Sequence, residues 1–341
     1  MVAVAADVDE PVTELYPWLK DKRDALGARL ARGDLPHALL ITGQPGVGKL
    51  ALAEQLAALL LCEQRGAEPE PCGQCPGCRM VAAGTHPDRL TVTREVDEKT
   101  GRQAATIKVD QIRALAERLA LSSHRTGYKV ALLFPAEAMN SNAANSLLKT
   151  LEEPTDKTVL ILVCASPAQL PATIRSRCQQ LRIAVPDAAL AAGWLARQLP
   201  GVDAGGYLQL AGGAPLTALQ LAEAGVADER RQQLCSLVEV LEGRLDPLAV
   251  AAQWGRDEQL QAVHWLQGWL MDLVRIRLSG NTASIRSVDL ADTLQRLAAR
   301  LDARELFRQM ERLNRVLQVA DGVLNRQLMV EEILLAWAGR K

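Results

Sequence analysis

Ala38-Leu39-Leu40-Ile41-Thr42 runs straight into Gly43-Gln44-Pro45-Gly46-Val47-Gly48-Lys49, and Leu50-Ala51-Leu52-Ala53 follows. An uncharged apolar run reads as a strand covered on both faces. The turn after it is rich in glycine, and an Ala/Leu-rich helical run opens at the lysine. A phosphate-binding loop needs this context: glycines let successive backbone N–H groups point inward at a helix N-terminus, and the lysine reaches the outer phosphates. The same alternation continues on the C-terminal side. Short apolar runs recur at Leu90–Thr93, Lys129–Phe134 and Val159–Val163. Helical periodicity fills Leu50–Cys62, Val109–Leu121 and Asn142–Glu153, the last with Leu147, Leu148 and Leu151 on one face and Pro154 as its stop. Strands alternating with helices predict a parallel α/β sheet flanked by helices over residues 1–184.

From about Pro186 no strand-like run survives. The chain reads as successive amphipathic helices punctuated by Pro200-Gly201, Gly205-Gly206, Gly212-Gly213 and Gly280-Asn281. Longer packed helices are expected at Leu234–Leu245, Glu258–Leu278, Val288–Leu301 and Glu305–Leu317, with Trp265, Trp269 and Leu273 spaced to fill a core or a subunit interface. The expected layout is an α/β domain at 1–184, a small helical domain at 185–227 and a larger one at 228–341. Composition agrees. In 341 residues, 48% are hydrophobic but only 3% aromatic, a mix leaning on Ala and Leu, which favours helices. Lys and Arg total 39 against 40 Asp and Glu, so no bulk charge attracts nucleic acid or an acidic membrane. There is no long uncharged apolar run and no signal-type N-terminus, so a cytoplasmic chain without membrane contact is expected.

The loop departs from a working one in two places. A hydrolytic loop puts Ser or Thr after the lysine to hold Mg²⁺, and here that residue is Leu50. The second magnesium ligand should end a later strand, but Lys129–Leu133 runs into Phe134-Pro135, with no carboxylate before Glu137. Losing both ligands removes the ion that offsets charge on the transferring phosphoryl group, a contribution on the order of several kcal/mol to the barrier. Gly43, Gly46, Gly48 and Lys49 therefore read as a vestigial phosphate loop, with ATP or ADP bound weakly or not at all.

Four of the seven cysteines, Cys62, Cys72, Cys75 and Cys78, fall within seventeen residues. Cys72-Gly-Gln-Cys75-Pro-Gly-Cys78 gives two overlapping CxxC steps whose Gly and Pro suit tight knuckles. Four thiolates close a tetrahedron around zinc and leave no position for water, so the expected metal is structural. An iron–sulfur run would want a further cysteine just downstream of Cys78, where Arg79-Met80-Val81-Ala82 stands. Cys164 and Cys235 read as buried small hydrophobes. His37, His86, His124 and His264 form no metal pair at helical spacing.

Together these features resemble one family, the bacterial clamp-loader subunits of the AAA+ class. The resemblance is carried by Gly43–Leu50, the four-cysteine insertion, Gly84-Thr85-His86-Pro87-Asp88, the run Asn145-Ser146-Leu147-Leu148-Lys149-Thr150-Leu151-Glu152-Glu153-Pro154, and Ser176-Arg177-Cys178. It covers nearly all of residues 20–185 and rests beyond that on length and helical character. It implies a P-loop-type domain followed by a helical lid and a helical collar that holds a hetero-oligomeric ring. Within the class, Leu50, Phe134 and Pro135 match the branch lacking the hydrolytic ligands, and Leu216 in Gly213-Ala214-Pro215-Leu216 stands where motor subunits carry a nucleotide-sensing arginine. The resemblance also implies that Arg177, with Ser176 and Cys178 of its motif, is an arginine finger reaching the ATP of a neighbouring subunit. Its implied partners are motor and delta-type subunits, and through them the sliding clamp and primer-template DNA, in a DNA-directed DNA polymerase assembly. Two other functions are weighed against this: an active AAA+ ATPase, opposed by Leu50 and Phe134, and a zinc-dependent nucleic-acid binder, opposed by the net charge of -1 and the few aromatics.

Overall fold

The structure is a computed structural model and describes residues 15–66, 68–96, 101, 103–123, 127–256, 261–282, 285–319 and 325–339. His124, the N-terminal residues read for a signal and the start of the helix expected from Glu258 lie outside the described residues. Two compact units follow one another, the first running to Ala191 and the second starting at Ala192.

The first unit holds strands β1 (Ala38–Thr42), β2 (Arg89–Val92), β3 (Lys129–Leu133), β4 (Thr158–Cys164) and β5 (Gln179–Arg182). Its helices are α1 (Lys20–Arg32), α2 (Lys49–Leu61), α3 (Pro76–Ala82), α4 (Val109–Ala120), α5 (Ser141–Glu152) and α6 (Ala172–Arg175). The five strands form one parallel sheet in the order β2-β3-β4-β1-β5. β3, β4 and β1 occupy its middle and are buried along their whole length, the physical reason their sequences are unbroken apolar runs. On one face, Leu40, Ala131, Leu133, Leu160 and Leu162 join Ile112, Leu115 and Leu119 of α4 and Leu147 and Leu151 of α5 in a single core. Leu148 packs against that core half-buried. α2 contacts β1, β3 and β4. The predicted α/β class and four of the five strands are found, each within one residue at either end.

β5 has no counterpart in the sequence reading. Gln179, Gln180 and Arg182 are exposed, and β5 pairs with β1 alone, so an edge position removed the apolar signal that a middle strand carries.

Beyond β5 the described residues contain helices and no strand: α7 (Ala188–Gln198), α8 (Ala204–Leu210), α9 (Pro215–Glu223), α10 (Val226–Leu241), α11 (Pro247–Trp254), α12 (Gln261–Ser279), α13 (Ala291–Arg300), α14 (Ala303–Val319) and α15 (Arg326–Ala338). Trp269 and Leu273 of α12 are fully buried and Trp265 nearly so, so this face is core. Two expectations are corrected. Gly205-Gly206 is no break, because both residues lie in the first turn of α8, where the Asp203 carboxylate accepts a hydrogen bond from the Gly206 N–H at 3.0 Å and caps the helix. Cys235 lies in α10 as expected but on its exposed side, whereas Cys164 is fully buried.

Candidate functional site

β1 ends at Thr42 and the glycine-rich turn carries the chain into α2. Gly48 takes φ +86°, and a Cβ there would lie 2.7 Å from the Tyr16 ring, so only glycine fits. Lys49, the first residue of α2, is 4% exposed, and its Nζ donates to the Gln44 carbonyl at 2.9 Å. The segment before α1 fastens the loop from outside. Trp18 donates through Nε1 to the Val47 carbonyl at 3.0 Å, and the Trp18 and Tyr16 rings stack with centroids 5.1 Å apart. The sequence reading missed this contact, which no periodicity marks. At the end of β3, Glu137 is the first carboxylate. Its Oε1 accepts from the backbone N–H of Ala165 at 2.8 Å and of Ser166 at 3.2 Å, directly after β4. Burial, and after it the Glu137 charge, push the neighbouring Cys164 thiol up to about 12. Leu50 offers no oxygen, and this carboxylate oxygen is engaged with backbone amides. Farther along the chain, Leu216 is the second residue of α9, half-buried after Pro215.

The four cysteines meet at the far end of α2. Cys62 follows its last residue, and Cys75 caps α3 by accepting from the Cys78 N–H, with Pro76 at the first helical position. Gly77 fits between them because a Cβ would come within 2.5 Å of the Leu61 carbonyl. The four sulfurs lie within 4.8 Å of one another, with Cys62 to Cys75 at 4.0 Å and Cys72 to Cys78 at 3.9 Å. A tetrahedral ion with bonds of about 2.3 Å needs sulfurs roughly 3.8 Å apart, so the cluster could hold a metal ion. Backbone N–H groups back the sulfurs: Cys72 donates to Cys62 at 3.4 Å, Cys75 to Cys72 at 3.3 Å and Cys78 to Cys75 at 3.3 Å. Burial pushes the Cys75 thiol up, but the amides of Cys78 and Glu63 outweigh it and leave it lowered to about 6. Burial and the Cys75 side chain drive Cys78 the other way. Sulfurs this close cannot all be ionised without a cation among them.

Ser176-Arg177-Cys178 links α6 to β5. Cys178 is buried in the α4–α5 core, and burial pushes its thiol up to about 11. With the cysteine inward, Ser176 and Arg177 face out, and the Ser176 hydroxyl donates back to the Thr173 carbonyl at 3.2 Å. Arg177 donates through Nε to Glu152 Oε1 at 2.7 Å and through Nη1 to the Thr173 carbonyl at 3.1 Å. Glu152 is the last residue of α5, whose Leu151 carbonyl bonds His37 Nε2 at 3.0 Å. His86 is buried, its Nδ1 accepting from the Asp88 N–H at 3.1 Å.

Comparison with known proteins adds the lineage. A protein from Pseudomonas aeruginosa described as DNA polymerase III subunit delta prime is 38% identical over 334 residues, 96% of this chain and 98% of that one. The chain belongs to the DNA polymerase III delta prime family. The family model for the DNA polymerase III delta subunit matches residues 19–187, and that for its C-terminal part matches 226–339. The delta prime subunit of Escherichia coli is 34% identical, with 94% of each chain covered. The tau subunit of the same organism is 36% identical over 163 residues, which is 48% of this chain and 24% of tau. The membership expected from the motifs is thus found over nearly the full length, including the helical unit, where motifs gave little purchase. None of the described helices is long and apolar enough to cross a membrane.

Proposed function

We propose that this chain is a non-hydrolysing scaffold subunit of a clamp loader, that it lends Arg177 to the ATP site of a neighbouring subunit, and that it helps place a sliding clamp on primer-template DNA. The observation that carries the first part is Leu50 beside Lys49, with the first carboxylate after β3 tied to the Ala165 and Ser166 amides. A loop so furnished lacks two magnesium ligands, and hydrolysis needs that ion. The lysine, turned onto Gln44, would have to leave a backbone carbonyl to meet a phosphate, so any nucleotide binds weakly. The second part rests on Arg177, which stays charged at all physiological pH and can fork onto phosphate oxygens as charge develops on them. Its backbone is held by the buried Cys178 while its side chain stands outside.

The metal of this reading is zinc, held by Cys62, Cys72, Cys75 and Cys78 and serving structure, since four sulfurs leave no open coordination site. The helical unit would supply a lid at 185–227 and a collar at 228–341 that holds the ring, and the working place is the cytoplasm. The test is a ring reconstituted from clamp-loader subunits with this chain or its Arg177→Ala form. DNA-stimulated ATPase and clamp loading should both fall at unchanged assembly. Equal rates in the two rings would reduce Arg177 to an ordinary surface charge. ATP turnover by the isolated chain, lost in Lys49→Ala, would favour an active ATPase.

A further inference from the structure

We propose that Glu152 is a positioning residue that holds the Arg177 guanidinium ready for a phosphate outside the chain. The inference rests on the finger reading above and adds a residue to it. A guanidinium has five N–H donors. Nε donates to Glu152 Oε1 at 2.7 Å, Nη2 lies against the same oxygen, and Nη1 donates to the Thr173 carbonyl at 3.1 Å. These contacts use three donors and leave one on each terminal nitrogen, the pair that a phosphate can bridge.

An exposed ion pair by itself means little, but here both partners are fixed from below. Leu151, next to Glu152, and Leu147, one turn before Leu151, sit in the same core as Cys178, next to Arg177. His37, one residue before β1, bonds the Leu151 carbonyl, so the end of α5 is tied to the strand that leads into the glycine-rich loop. Glu152 also occupies the last turn of α5, where the helix dipole favours a cation and disfavours a carboxylate. An acidic residue at that place brings the cation to the helix end as Arg177. The side chains of Arg177 and Glu152 remain 37% and 49% exposed, so the arginine is oriented but still reachable. Orienting a long side chain before association removes the entropy loss that docking would otherwise bear, and it sets the approach angle on which phosphoryl transfer depends.

The experiment compares reconstituted rings carrying Arg177→Ala, Glu152→Ala, Glu152→Gln, the Arg177→Ala/Glu152→Ala double variant, and Glu153→Ala as the adjacent exposed control. Glu152→Ala is expected to lower the clamp-loading rate roughly tenfold at matched assembly and the DNA-stimulated kcat only in part, by no more than Arg177→Ala does, with KM for ATP nearly unchanged, since orientation is felt in the transition state. Glu152→Gln keeps one acceptor oxygen and should fall between Glu152→Ala and the parent. The double variant should match Arg177→Ala alone, because a residue acting through Arg177 has nothing left to position. In the isolated chain, the Arg177 Nε–H resonance should be sharp and slow to exchange, and averaged in Glu152→Ala. An Arg177→Ala defect with a normal Glu152→Ala ring would overturn the positioning role and leave the finger standing. No defect in Arg177→Ala would overturn both. A Glu152→Ala loss that persists undiminished in the Arg177→Ala background, or an unchanged Nε–H resonance in Glu152→Ala, would also overturn it.

Discussion

At Arg177 a substitution separates the proposed role in a ring from any role in the isolated chain. The side chain is 37% exposed and paired with a residue half in solvent, so Arg177→Ala should leave the thermal midpoint of the isolated chain nearly unchanged. In the ring, fingers of this kind are worth on the order of 1,000-fold at the site they serve. Several sites share the ATPase, so its loss should be partial and the loading loss larger. Arg177→Lys should fail to rescue, because an ammonium cannot fork. Arg182→Ala, on the exposed edge strand, should be close to neutral. Two thiols buried in the same core predict a pH dependence. Cys164 and Cys178 have thiols raised to about 12 and about 11 from an ordinary 9.0. Above about pH 9 the unfolded chain releases these protons and the folded chain does not, so stability is full below pH 9 and declines from there toward pH 11–12. Alkaline denaturation monitored by circular dichroism should show a shallower decline in a Cys164→Ala/Cys178→Ala chain, whatever its stability at neutral pH. The Ser176-Arg177-Cys178 triplet was legible in sequence because its three residues are adjacent. The Glu152 contact was not: the two residues are 25 positions apart, and no periodicity links a helix end to a loop.

Among the described residues, the cysteine knuckle is the cluster that could hold a metal ion. Removing the metal with a chelator, or making Cys72→Ser, should loosen residues 62–78 and leave the sheet folded, because all four sulfurs come from one local segment and none from β1–β5. Hydrogen exchange would show amides near Cys72 and Cys78 losing protection while those of β3 and β4 keep it; global unfolding on chelation would contradict this. Elemental analysis of metal-replete protein should return one zinc per chain. The knuckle was readable because ligand spacing is itself the signal, and the middle strands because burial on both faces writes an apolar run. β5 was not, since three of its four residues are polar and exposed, and the Gly205-Gly206 pair misled because the Asp203 cap offsets two poor helix formers.

Taken as a whole, the molecule has a five-stranded parallel sheet in its first unit and helices in its second, and under the proposed role the isolated chain should hydrolyse no ATP above background in a coupled assay. Its family membership extends over 96% of the sequence, yet the helical unit was legible only as a class, for amphipathic spacing reports that a helix is packed without saying against what. Lys49 is seated on Gln44, Trp18 on Val47 and Glu137 on the Ala165 and Ser166 amides, so the groups around the loop are already engaged with protein partners. Restoring the hydroxyl with Leu50→Thr should therefore leave turnover at background, and an added acid at Pro135 should not rescue it while Trp18 still clasps the loop. Under the proposed scaffold role, gaining hydrolysis would require several of these contacts to be undone together, not one residue to be exchanged.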